Sequence, residues 1–475
     1  MTYIPTIGLE IHAELKTKSK MFCGCPNDPD EPRPNHTVCP ICMGHPGTLP
    51  VINREAVRHM VRIGTAVGGT IADFTEFDRK NYFYPDIPKG YQISQYEYPL
   101  VVGGSINGIA LTRIHLEEDT ASSLHEDAVY SNLNFNRAGV PLMELVTEPV
   151  IHDATLASAF ARELRTLLRT LGASGANMEK GEMRVEANVS VAQEGAPLGT
   201  KVEVKNLNSF RSVERAIAYE IQRHIALLEK GEKIVQETRG WDEAGQKTFT
   251  QRVKEEAQEY RYFPDPDLPK LRISRIPEFT DDKVRATLPE LPWETRARLV
   301  GKLGISAENA ELLVQDVALL AFFDEVCTRL KGDSTRIRLA VNYLTSDVLG
   351  LVQEGVASLG AIIAQSPAEF AALIDMVADN TVSSRGAKDT LRAWVVEGGD
   401  PHAIAEREGL LQVDDDDALG VMAEEIVAEH QAVVEEYRAG KEASLQFLVG
   451  QGMKRSKGSA NPVRLRELLI AKIAD

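Results

Sequence analysis

The sequence predicts an α+β protein, with an antiparallel or mixed sheet in its N-terminal part and only helices in its C-terminal part. Apolar and polar residues alternate strictly in several segments of the N-terminal half, as is typical of strands that bury one face. Beyond residue 291 this pattern stops, and leucine, valine and alanine recur at helical spacing. At roughly 100–200 residues per domain, a chain of 475 residues predicts more than one domain.

Composition narrows the functional classes. The chain has 53 Lys plus Arg against 70 Asp plus Glu, a formal net charge of −17. This balance argues against a general nucleic-acid coat, because phosphate binding requires a positive surface, but it leaves room for a local basic site. The first residues show no basic segment followed by an apolar run, and no stretch reaches the roughly 18 apolar residues of a membrane span. A cytoplasmic protein with no membrane association is therefore expected.

Four of the five cysteines lie close together, as a C-x-C pair and a C-x-x-C pair: Cys23, Cys25, Cys39 and Cys42. Two close pairs separated by a proline-rich loop suit four thiolates around one tetrahedral zinc ion. Disulfide pairing is the alternative, and the reducing cytoplasm disfavours it. Protein ligands would fill all four positions, so zinc in this insert at residues 23–42 is expected to be structural.

Four segments carry the alternating pattern, at residues 7–15, 109–119, 182–191 and 201–205. One side of each segment is apolar, so that side is expected to face the core. The other side carries charged residues and histidines, among them Glu10, His12, Arg113, His115, Glu117, Arg184, Glu186, Glu203 and Lys205. Asn107-Gly108 supplies a hairpin turn before the second segment.

This charged face suits a hard divalent cation such as Mg²⁺, because clustered carboxylates repel one another unless a cation lies between them. The interleaved arginines and lysines suit the phosphates that such a cation bridges. A face that simply meets water is the alternative. Glu144 and Glu148, between Pro141 and Pro149, are further candidates for the set. The run Glu117-Glu118-Asp119 leaves open which glutamate points toward the cation, since the strand could end or bulge there.

Residues 77–95 are predicted to form a loop rather than regular structure. The segment combines three tyrosines and two phenylalanines with basic residues that include Arg79 and Lys80. Aromatic and basic side chains together suit stacking on a nucleic-acid base. A loop that packs on the sheet is the alternative.

The second half is predicted to contain a helical domain at 291–399 and a tail at 400–475. The last 35 residues hold seven Lys or Arg and three acidic residues, a net charge of +4. Residues 450–461 are basic and contain glycine, and Pro462 then begins a helix at the position that proline favours. A basic turn before a helix N-terminus suits a nucleic-acid backbone. The candidate contacts are Lys454, Arg455 and Lys457.

Motifs along the whole chain resemble the B-subunit family of the tRNA-dependent amidotransferases, the GatCAB complexes. In the N-terminal part they are GLEIH (8–12), FDRKNYFYPD (77–86), KGYQISQ (89–95), HLEED (115–119), KNLNSF (205–210), QETR (236–239) and YRYFPDPDLP (260–269). In the tail they are LVGQGMK (448–454) and KGSANP (457–462). Together these motifs are highly specific.

The resemblance implies a fold and an activity. Members have a cradle-like catalytic domain related to glutamine synthetase, expected here at 1–290, followed by a helical domain and a tail that grips tRNA. The complexes convert Glu-tRNA(Gln) to Gln-tRNA(Gln) or Asp-tRNA(Asn) to Asn-tRNA(Asn). Their B chain uses ATP and Mg²⁺ to phosphorylate the carboxylate of the aminoacyl group. Ammonia that the A chain releases from glutamine then forms the amide, and a small C chain stabilises the heterotrimer.

The resemblance also implies roles for individual residues. The expected catalytic residues are Glu10, His12, Glu118, Glu144 and Glu203. Mg²⁺ is expected on Glu10, His12, Glu118 and Glu144, with Glu117, Glu186 and Glu203 as further candidates. The expected contacts to ATP are Arg184 and Lys205, followed by Arg79 and Lys80. Two other functions stay open, a tRNA-binding adaptor with an inactive kinase face and a ligase that activates the carboxylate of a small molecule.

Overall fold

The computed structural model describes residues 2–124, 130–253, 260–412, 416–456 and 460–474. The chain divides into two compact units, Met1–Pro292 and Trp293–Asp475. The first unit contains a mixed sheet with helices, and the second consists of helices and their connections in its described residues. The predicted combination of an N-terminal mixed sheet and a helical C-terminal part is confirmed.

The strands lie in the first unit. They are β1 (Tyr3–Glu14), β2 (Thr70–Ile71), β3 (Phe74–Thr75), β4 (Asp78–Asn81), β5 (Tyr91–Ser94), β6 (Val101–Val102), β7 (Ser105–Ile106), β8 (Ile109–Glu118), β9 (Ser122–Leu124), β10 (Asn132–Asn134), β11 (Pro141–Thr147), β12 (Met183–Gln193), β13 (Val202–Leu207), β14 (Glu237–Asp242), β15 (Lys247–Val253), β16 (Phe263–Pro264) and β17 (Leu271–Arg272). The central sheet has the order β15-β14-β13-β12-β1-β11-β8-β6-β2, and β7 pairs with β8. Its pairs are antiparallel apart from β13 and β14, which run parallel.

The four alternating segments form β1, β8, β12 and β13, as predicted. The hairpin turn before β8 is also confirmed, since Asn107 and Gly108 both have positive φ, at 51° and 76°. On β1 the apolar side chains, including Leu9 and Ile11, are buried, while the intervening residues face the opposite side of the sheet. The alternation therefore separates a core face from a polar face.

The prediction that residues 77–95 form a loop is wrong. Strands β4 and β5 pair antiparallel within this segment, with Asp78 opposite Ser94 and Asn81 opposite Tyr91. The two prolines, Pro85 and Pro88, lie only in the connection, where they interrupt no ladder hydrogen bond. Tyr91 is thereby held on β5, while Tyr82 and Tyr84 lie in the connection of the hairpin.

Helices cover the core face of the sheet. The helices of this unit are α1 (Arg54–Ala66), α2 (Ala154–Thr170), α3 (Phe210–Glu229) and α4 (Asp281–Arg285), with a 3-10 turn at Ile273–Arg275. Phe160 and Leu164 of α2 and Val213 and Ile217 of α3 have no exposed surface. Complete burial of such side chains stabilises a fold by about 1.5–3 kcal/mol each. The opposite face of the sheet remains available for polar groups.

The second unit has two hydrophobic clusters. Its helices are α5 (Pro292–Gly301), α6 (Ala307–Val314), α7 (Val317–Arg329), α8 (Ser334–Asn342), which continues through a π-helical segment (Tyr343–Val348) into α9 (Leu349–Gln353), α10 (Leu359–Ile363), α11 (Pro367–Ala378), α12 (Ser384–Glu397), α13 (Pro401–Arg407), α14 (Asp416–Glu429), α15 (Gln431–Arg438), α16 (Glu442–Arg455) and α17 (Pro462–Ala474). One cluster includes Phe323, Phe370 and Trp394. The other includes Leu448 and Leu465. Over the described ranges, every helix is too short or too polar to cross a bilayer.

Candidate active site

The polar face of the sheet aligns charged residues from neighbouring strands. His12 on β1 lies opposite Glu144 on β11 and opposite Arg184 on β12. Glu144 in turn lies opposite His115 on β8. Directly opposed side chains of an antiparallel pair are close enough to interact, so this register brings residues far apart in sequence into one row. In the following text, the term floor means this row, formed by His115, Glu144, His12 and Arg184, together with the charged residues that adjoin it.

Glu144 belongs to two groups of possible metal ligands. The first is Glu10, His12 and Glu144, and the second is His115, Glu117 and Glu144; within each group the ligand atoms lie within 4.8 Å of one another. Nε2 of His12 is 3.3 Å from Oε2 of Glu144 and 3.8 Å from Oε2 of Glu117. Nε2 of His115 is 3.4 Å from Oε1 of Glu117. These converging carboxylate and imidazole donors fit a divalent cation such as Mg²⁺.

Burying several charged groups together costs free energy, because each loses its contact with water. Glu117 and Glu144 are only 1% and 4% exposed. Burial alone would lower the pKa of His12, but the hydrogen bond and charge of Glu144, with the charges of Glu117 and Glu10, raise it to about 9. Burial also raises the pKa of Glu144, yet the charges of His115 and His12 and the His12 hydrogen bond hold it below the usual range. Positive charge is therefore favoured at this point, whether on a proton or on a bound cation.

Glu118 lies on the other side of β8 from the floor. Its Oε1 is 2.6 Å from Nζ of Lys89 and accepts a hydrogen bond from the backbone N–H of Ile93 at 3.0 Å. Successive residues of a strand point to opposite faces, so Glu117 joins His12 whereas Glu118 does not. The position of Glu118 therefore does not fit the expectation that it binds the cation with His12. Glu117 occupies that position.

Two basic residues adjoin the buried carboxylates. Nζ of Lys80 is 3.9 Å from Oε1 of Glu117, and Nη2 of Arg113 is 3.6 Å from Oε1 of Glu144. Burial alone would lower the pKa of Lys80, but the charge of Glu117 raises it above its ordinary value, so the ammonium form is retained. Lys80 and Arg113 thus supply fixed positive charge next to the candidate cation position.

Lys205 forms a second charged group, with Glu186 on β12 and Glu203 on its own strand β13. Its Nζ is 2.7 Å from Oε2 of Glu186 and 3.6 Å from Oε1 of Glu203. Glu186 lies opposite Glu10, so this group adjoins the first set of ligands. The Lys205 side chain is 38% exposed, and an anion in the cavity can reach its ammonium group.

The two arginines that were predicted to contact phosphate are paired with carboxylates. Arg184 donates from Nη1 and Nη2 to the two carboxylate oxygens of Asp119, at 2.9 and 3.1 Å. Arg79 donates from Nε to Oδ2 of Asp265 at 2.8 Å. Arg79 precedes Lys80 on β4 and therefore points to the opposite face. Arg184 lines the cavity described next, whereas Arg79 points away from the floor.

An open cavity of about 520 Å³ lies over the floor. Its charged lining consists of Glu10, His12, Lys80, Arg113, His115, Glu117, Asp119, Arg137, Glu144, Arg184, Glu186, Glu203 and Lys205. A second part of the lining is aromatic, with Tyr82, Tyr84, Tyr96, Tyr260 and Tyr262. The sequence analysis placed Arg113 and His115 on the charged face, and Tyr82 and Tyr84 in a segment suited to base stacking, but it gave none of them an individual role. It did not single out Tyr96, Tyr260 or Tyr262. The alternation that puts Arg113 and His115 on the side of Glu117 was the available signal for those two residues.

The four clustered cysteines form a separate candidate metal centre. All are free thiols, and their sulfur atoms lie within 4.8 Å of one another. Sγ of Cys39 and Sγ of Cys42 are 3.9 Å apart, close to the roughly 3.8 Å expected for two thiolates on one tetrahedral zinc with bonds of about 2.3 Å. A hydrogen bond from Cys23 lowers the pKa of Cys42 to about 5 against the effect of burial, assisted by the backbone of Cys39 and the charge of Lys20. The donor set and its spacing fit zinc.

Two of the three predicted tRNA contacts, Lys454 and Arg455, lie at the end of α16. Lys454 is exposed in the last turn. Nη2 of Arg455 is 3.1 Å from Oε1 of Glu429 and 3.4 Å from Oε2 of Glu425, which are both on α14. Lys457 lies outside the described residues.

The fold and the cavity together define a class of protein. Its members have a candidate site for metal-assisted chemistry on an anionic substrate, and this site is built on one face of a mixed sheet. Residues 5–277 match the family model of the GatB/GatE catalytic domain, and residues 321–473 match that of the GatB domain. The first match alone covers more than half of the chain.

Full-length relatives agree with the family models. The B subunit of the aspartyl/glutamyl-tRNA(Asn/Gln) amidotransferase from Thermomicrobium roseum is 44% identical, over 99% of this chain and 98% of the relative. The corresponding protein from Thermus thermophilus is 45% identical, over 98% of each chain, and that from Synechocystis is 41% identical, over 99% of this chain and 97% of the relative. The chain belongs to the GatB family, the B subunits of the tRNA-dependent amidotransferases.

Proposed function

We propose that this chain is the subunit of a glutamine-dependent amidotransferase that converts Glu-tRNA(Gln) to Gln-tRNA(Gln), Asp-tRNA(Asn) to Asn-tRNA(Asn), or both. The observation that carries the chemical part of the proposal is the position of Glu144. This buried carboxylate is shared by two groups of cation ligands at the floor of an open cavity with basic residues on its lining. Family membership supports the tRNA-linked substrate.

The reaction requires activation of a carboxylate, because such a group lacks a good leaving group for attack by ammonia. Transfer of the terminal phosphoryl group of ATP to the side-chain carboxylate gives an acyl phosphate and ADP. Attack by ammonia on the acyl carbon then forms the amide and releases phosphate. Phosphoryl transfer depends mainly on positioning and on neutralisation of charge, which suits this floor. Mg²⁺, when bound, would supply charge neutralisation for the phosphates.

Individual residues take distinct parts in this proposal. Glu10, His12, Glu117 and Glu144 would hold Mg²⁺. Glu186 and Glu203 are further candidates, at the side of the floor where Lys205 lies. Lys80, Arg113 and Lys205 have charged groups near the candidate cation position, and they would contact phosphate or carboxylate oxygens. Arg184 would act mainly by orienting Asp119 at the edge of the cavity, because both carboxylate oxygens already accept its hydrogen bonds.

The remaining structural expectations are also part of the proposal. We assign residues 1–290 to a catalytic cradle related to glutamine synthetase, 291–399 to a helical domain and 400–475 to a tail. Because Ile404 and Ala405 pack in the same cluster as Trp394, the tail could begin slightly later, after α13. Zinc on the four cysteines would have a structural role, and the reducing cytoplasm would keep these thiols free to bind it.

The partners in this proposal are an amidase chain, the A chain, that supplies ammonia, a small C chain and the mischarged tRNA. The tail would contact the tRNA backbone through Lys454 and Lys457, with Arg455 available once it leaves its two exposed carboxylate partners. Exposed ion pairs of this kind contribute only about 0–1 kcal/mol, so exchanging one for a phosphate contact costs little. The contribution of the tail should then weaken as salt concentration rises.

Reconstitution of the complex tests the proposal. The chain, its A and C partners, ATP, Mg²⁺, glutamine and either mischarged tRNA are combined, and the amino acid released from the tRNA is analysed for amide. Glu144→Gln is expected to reduce amide formation by at least about 100-fold. Loss of a residue that only orients a metal ligand costs up to about 100-fold, and loss of a ligand itself should cost at least as much. Glutamine hydrolysis, measured separately, shows whether the amidase partner remains intact.

Glu148→Gln is the matched control. Glu148 was a candidate ligand from the sequence, but it follows β11, accepts a hydrogen bond from Oγ1 of Thr112 at 2.8 Å and does not line the cavity. It is expected to retain nearly full amide formation. A wild-type complex that binds tRNA without making amide would favour an adaptor. Amide formation on a small carboxylic acid and none on tRNA would favour the small-molecule ligase.

A further inference from the structure

We propose that the tyrosines of the cavity form a stacking surface for the adenine base of an adenosine-bearing substrate, here called the tyrosine wall (Tyr82, Tyr84, Tyr96, Tyr260 and Tyr262). This inference rests on the proposed function and specifies which part of the substrate this side of the cavity binds. Adenine can come from ATP or from the 3′-terminal adenosine of the tRNA. The stacking chemistry is the same for both.

The five rings form a continuous surface. Tyr84 and Tyr82 have ring centroids 6.0 Å apart, Tyr82 and Tyr260 5.8 Å, and Tyr260 and Tyr262 5.9 Å, all edge to face. Tyr262 and Tyr96 are stacked, with centroids 4.2 Å apart and an angle of 8° between their planes. Each ring therefore has an aromatic neighbour that restricts its orientation, and a flat ligand would meet a preformed surface.

Part of this surface is open to a ligand. Tyr96 is 60% exposed and Tyr84 is 50% exposed, although both contact another ring. Aromatic side chains of this size are usually well buried when their role is only to fill a core. Tyr96 follows β5 and Tyr262 precedes β16, two segments that lie far apart in sequence. Both residues line the cavity, so a molecule bound there can contact either ring.

The tyrosine wall adjoins the charged floor through Lys80. Nζ of Lys80 lies 5.1 Å from the centroid of the Tyr260 ring and 3.9 Å from Oε1 of Glu117. One molecule with a flat base at one end and anionic groups at the other can thus contact both surfaces. ATP has this form. An aminoacylated terminal adenosine also has it, because its ribose carries the carboxylate side chain through the ester.

Kinetic constants of the reconstituted complex distinguish the two sources. Stacking of a base on an aromatic residue changes affinity by about 5- to 150-fold when the ring is lost. Tyr96→Leu and Tyr262→Leu are therefore expected to raise one KM by a factor in this range, with kcat nearly unchanged. A raised KM for ATP assigns the wall to the nucleotide base. A raised KM for the aminoacyl-tRNA assigns it to the terminal adenosine.

Two further variants separate stacking from a structural effect. Tyr262→Phe keeps the ring and is expected to restore the wild-type KM. Tyr98→Leu removes another partly exposed ring, which packs against Phe74 outside the cavity, and is the matched control.

The inference is overturned if Tyr96→Leu and Tyr262→Leu leave both KM values at the level of Tyr98→Leu. It is also overturned if they lower only kcat, or if Tyr262→Phe is as defective as Tyr262→Leu. Failure of the adenine subsite is distinguishable from failure of the proposed function, because the wild-type complex makes amide in the first case and makes none in the second.

Discussion

Replacing Glu117 by glutamine is expected to weaken Mg²⁺ binding by about three orders of magnitude, whereas the same change at Glu118 should leave it nearly unchanged. The two residues are neighbours on β8, both are buried and both carry the same charge. Only Glu117 faces His12 and His115, because the strand turns the next side chain to the opposite face. Comparing the two variants therefore shows whether the effect depends on the position of the carboxylate and not only on the loss of one negative charge.

The magnitude follows from distance and charge. The carboxylate of Glu117 lies 3.4 Å from Nε2 of His115 and 3.8 Å from Nε2 of His12, so a cation bound between them would be within about 4 Å of it. Two unit charges about 4 Å apart interact by about 4 kcal/mol at an effective dielectric constant of about 20. Each 1.4 kcal/mol is a factor of ten, so a loss of about 4 kcal/mol is about 1000-fold in affinity. The additional attraction of the second charge of Mg²⁺ is offset by the larger cost of removing water from a divalent ion.

Two assays measure this change. Titration of the reconstituted complex with Mg²⁺ gives the concentration at half-maximal amide formation. Electron paramagnetic resonance of Mn²⁺ in place of Mg²⁺ reports binding without turnover. Glu118→Gln leaves the partly buried ammonium of Lys89 without its 2.6 Å partner. It should therefore lower the thermal unfolding midpoint while leaving the metal titration close to that of the wild type.

Equal metal affinity in wild type and Glu117→Gln would refute the reasoning. So would a larger loss in Glu118→Gln than in Glu117→Gln, since that result would mean that the second glutamate, and not the first, is the ligand. Loss of metal binding in both variants, together with loss of folded structure, would be visible in the unfolding midpoint and would identify a general destabilisation instead.

Two other predictions concern the stability of the first unit and its candidate zinc centre. Cys39→Ser is expected to reduce the zinc content of the purified chain from about one ion to nearly none, while Cys327→Ser retains it; full zinc in Cys39→Ser, measured by elemental analysis, would exclude the four-cysteine site. Glu220 on α3 has no exposed surface and lies 2.7 Å from Nη2 of Arg223 and 3.2 Å from Nε of Arg239, so Glu220→Gln should lower the free energy of unfolding by about 3–5 kcal/mol. Burial raises the pKa of Glu220, but the ring of His224, 3.3 Å away, and hydrogen bonds from Arg223 and Thr248 outweigh it and lower the pKa to about 2 from its ordinary value of 4.5. This stabilisation is therefore present above pH 4.5 and is lost as the pH falls toward 2, a dependence that Glu220→Gln should lack. Hydrogen exchange of the β14 and β15 amides measures both the loss of stability and its dependence on pH. Glu229→Gln, on the exposed end of α3, is the control. An unchanged exchange rate in Glu220→Gln would contradict the assignment.

Much of the floor could be predicted because it depends on local alternation. Glu10 and His12 follow from the pattern of β1, and Glu203 and Lys205 from that of β13. A period of two needs only a few residues to become visible, and it separates the polar face from the core face. The cysteine cluster could be predicted equally well, because the spacing of the four residues within one short segment limits which geometries they can form.

Other features depend on residues that are distant in sequence. Arg184 was predicted to contact phosphate, but Asp119, 65 positions earlier, accepts hydrogen bonds from both of its terminal nitrogens. Arg79 is similarly held by Asp265, across 186 positions. The β4–β5 hairpin was mistaken for a loop because its two prolines and many aromatic residues dominate the local pattern. No local pattern reveals which carboxylate an arginine meets after strands from remote segments have paired.

By itself, the sequence determined the α+β class, the strands with a charged face, the cysteine cluster and the family to which the chain belongs. Only the tertiary structure decided that Glu117, and not Glu118, lies with His12 and Glu144, and that Tyr96 stacks on Tyr262 beside the floor. The physical reason is the order of the sheet, in which β1 lies between β11 and β12. Hydrogen bonding between these strands aligns residues about 130 and 170 positions apart, and that register is set by the packing of the whole sheet.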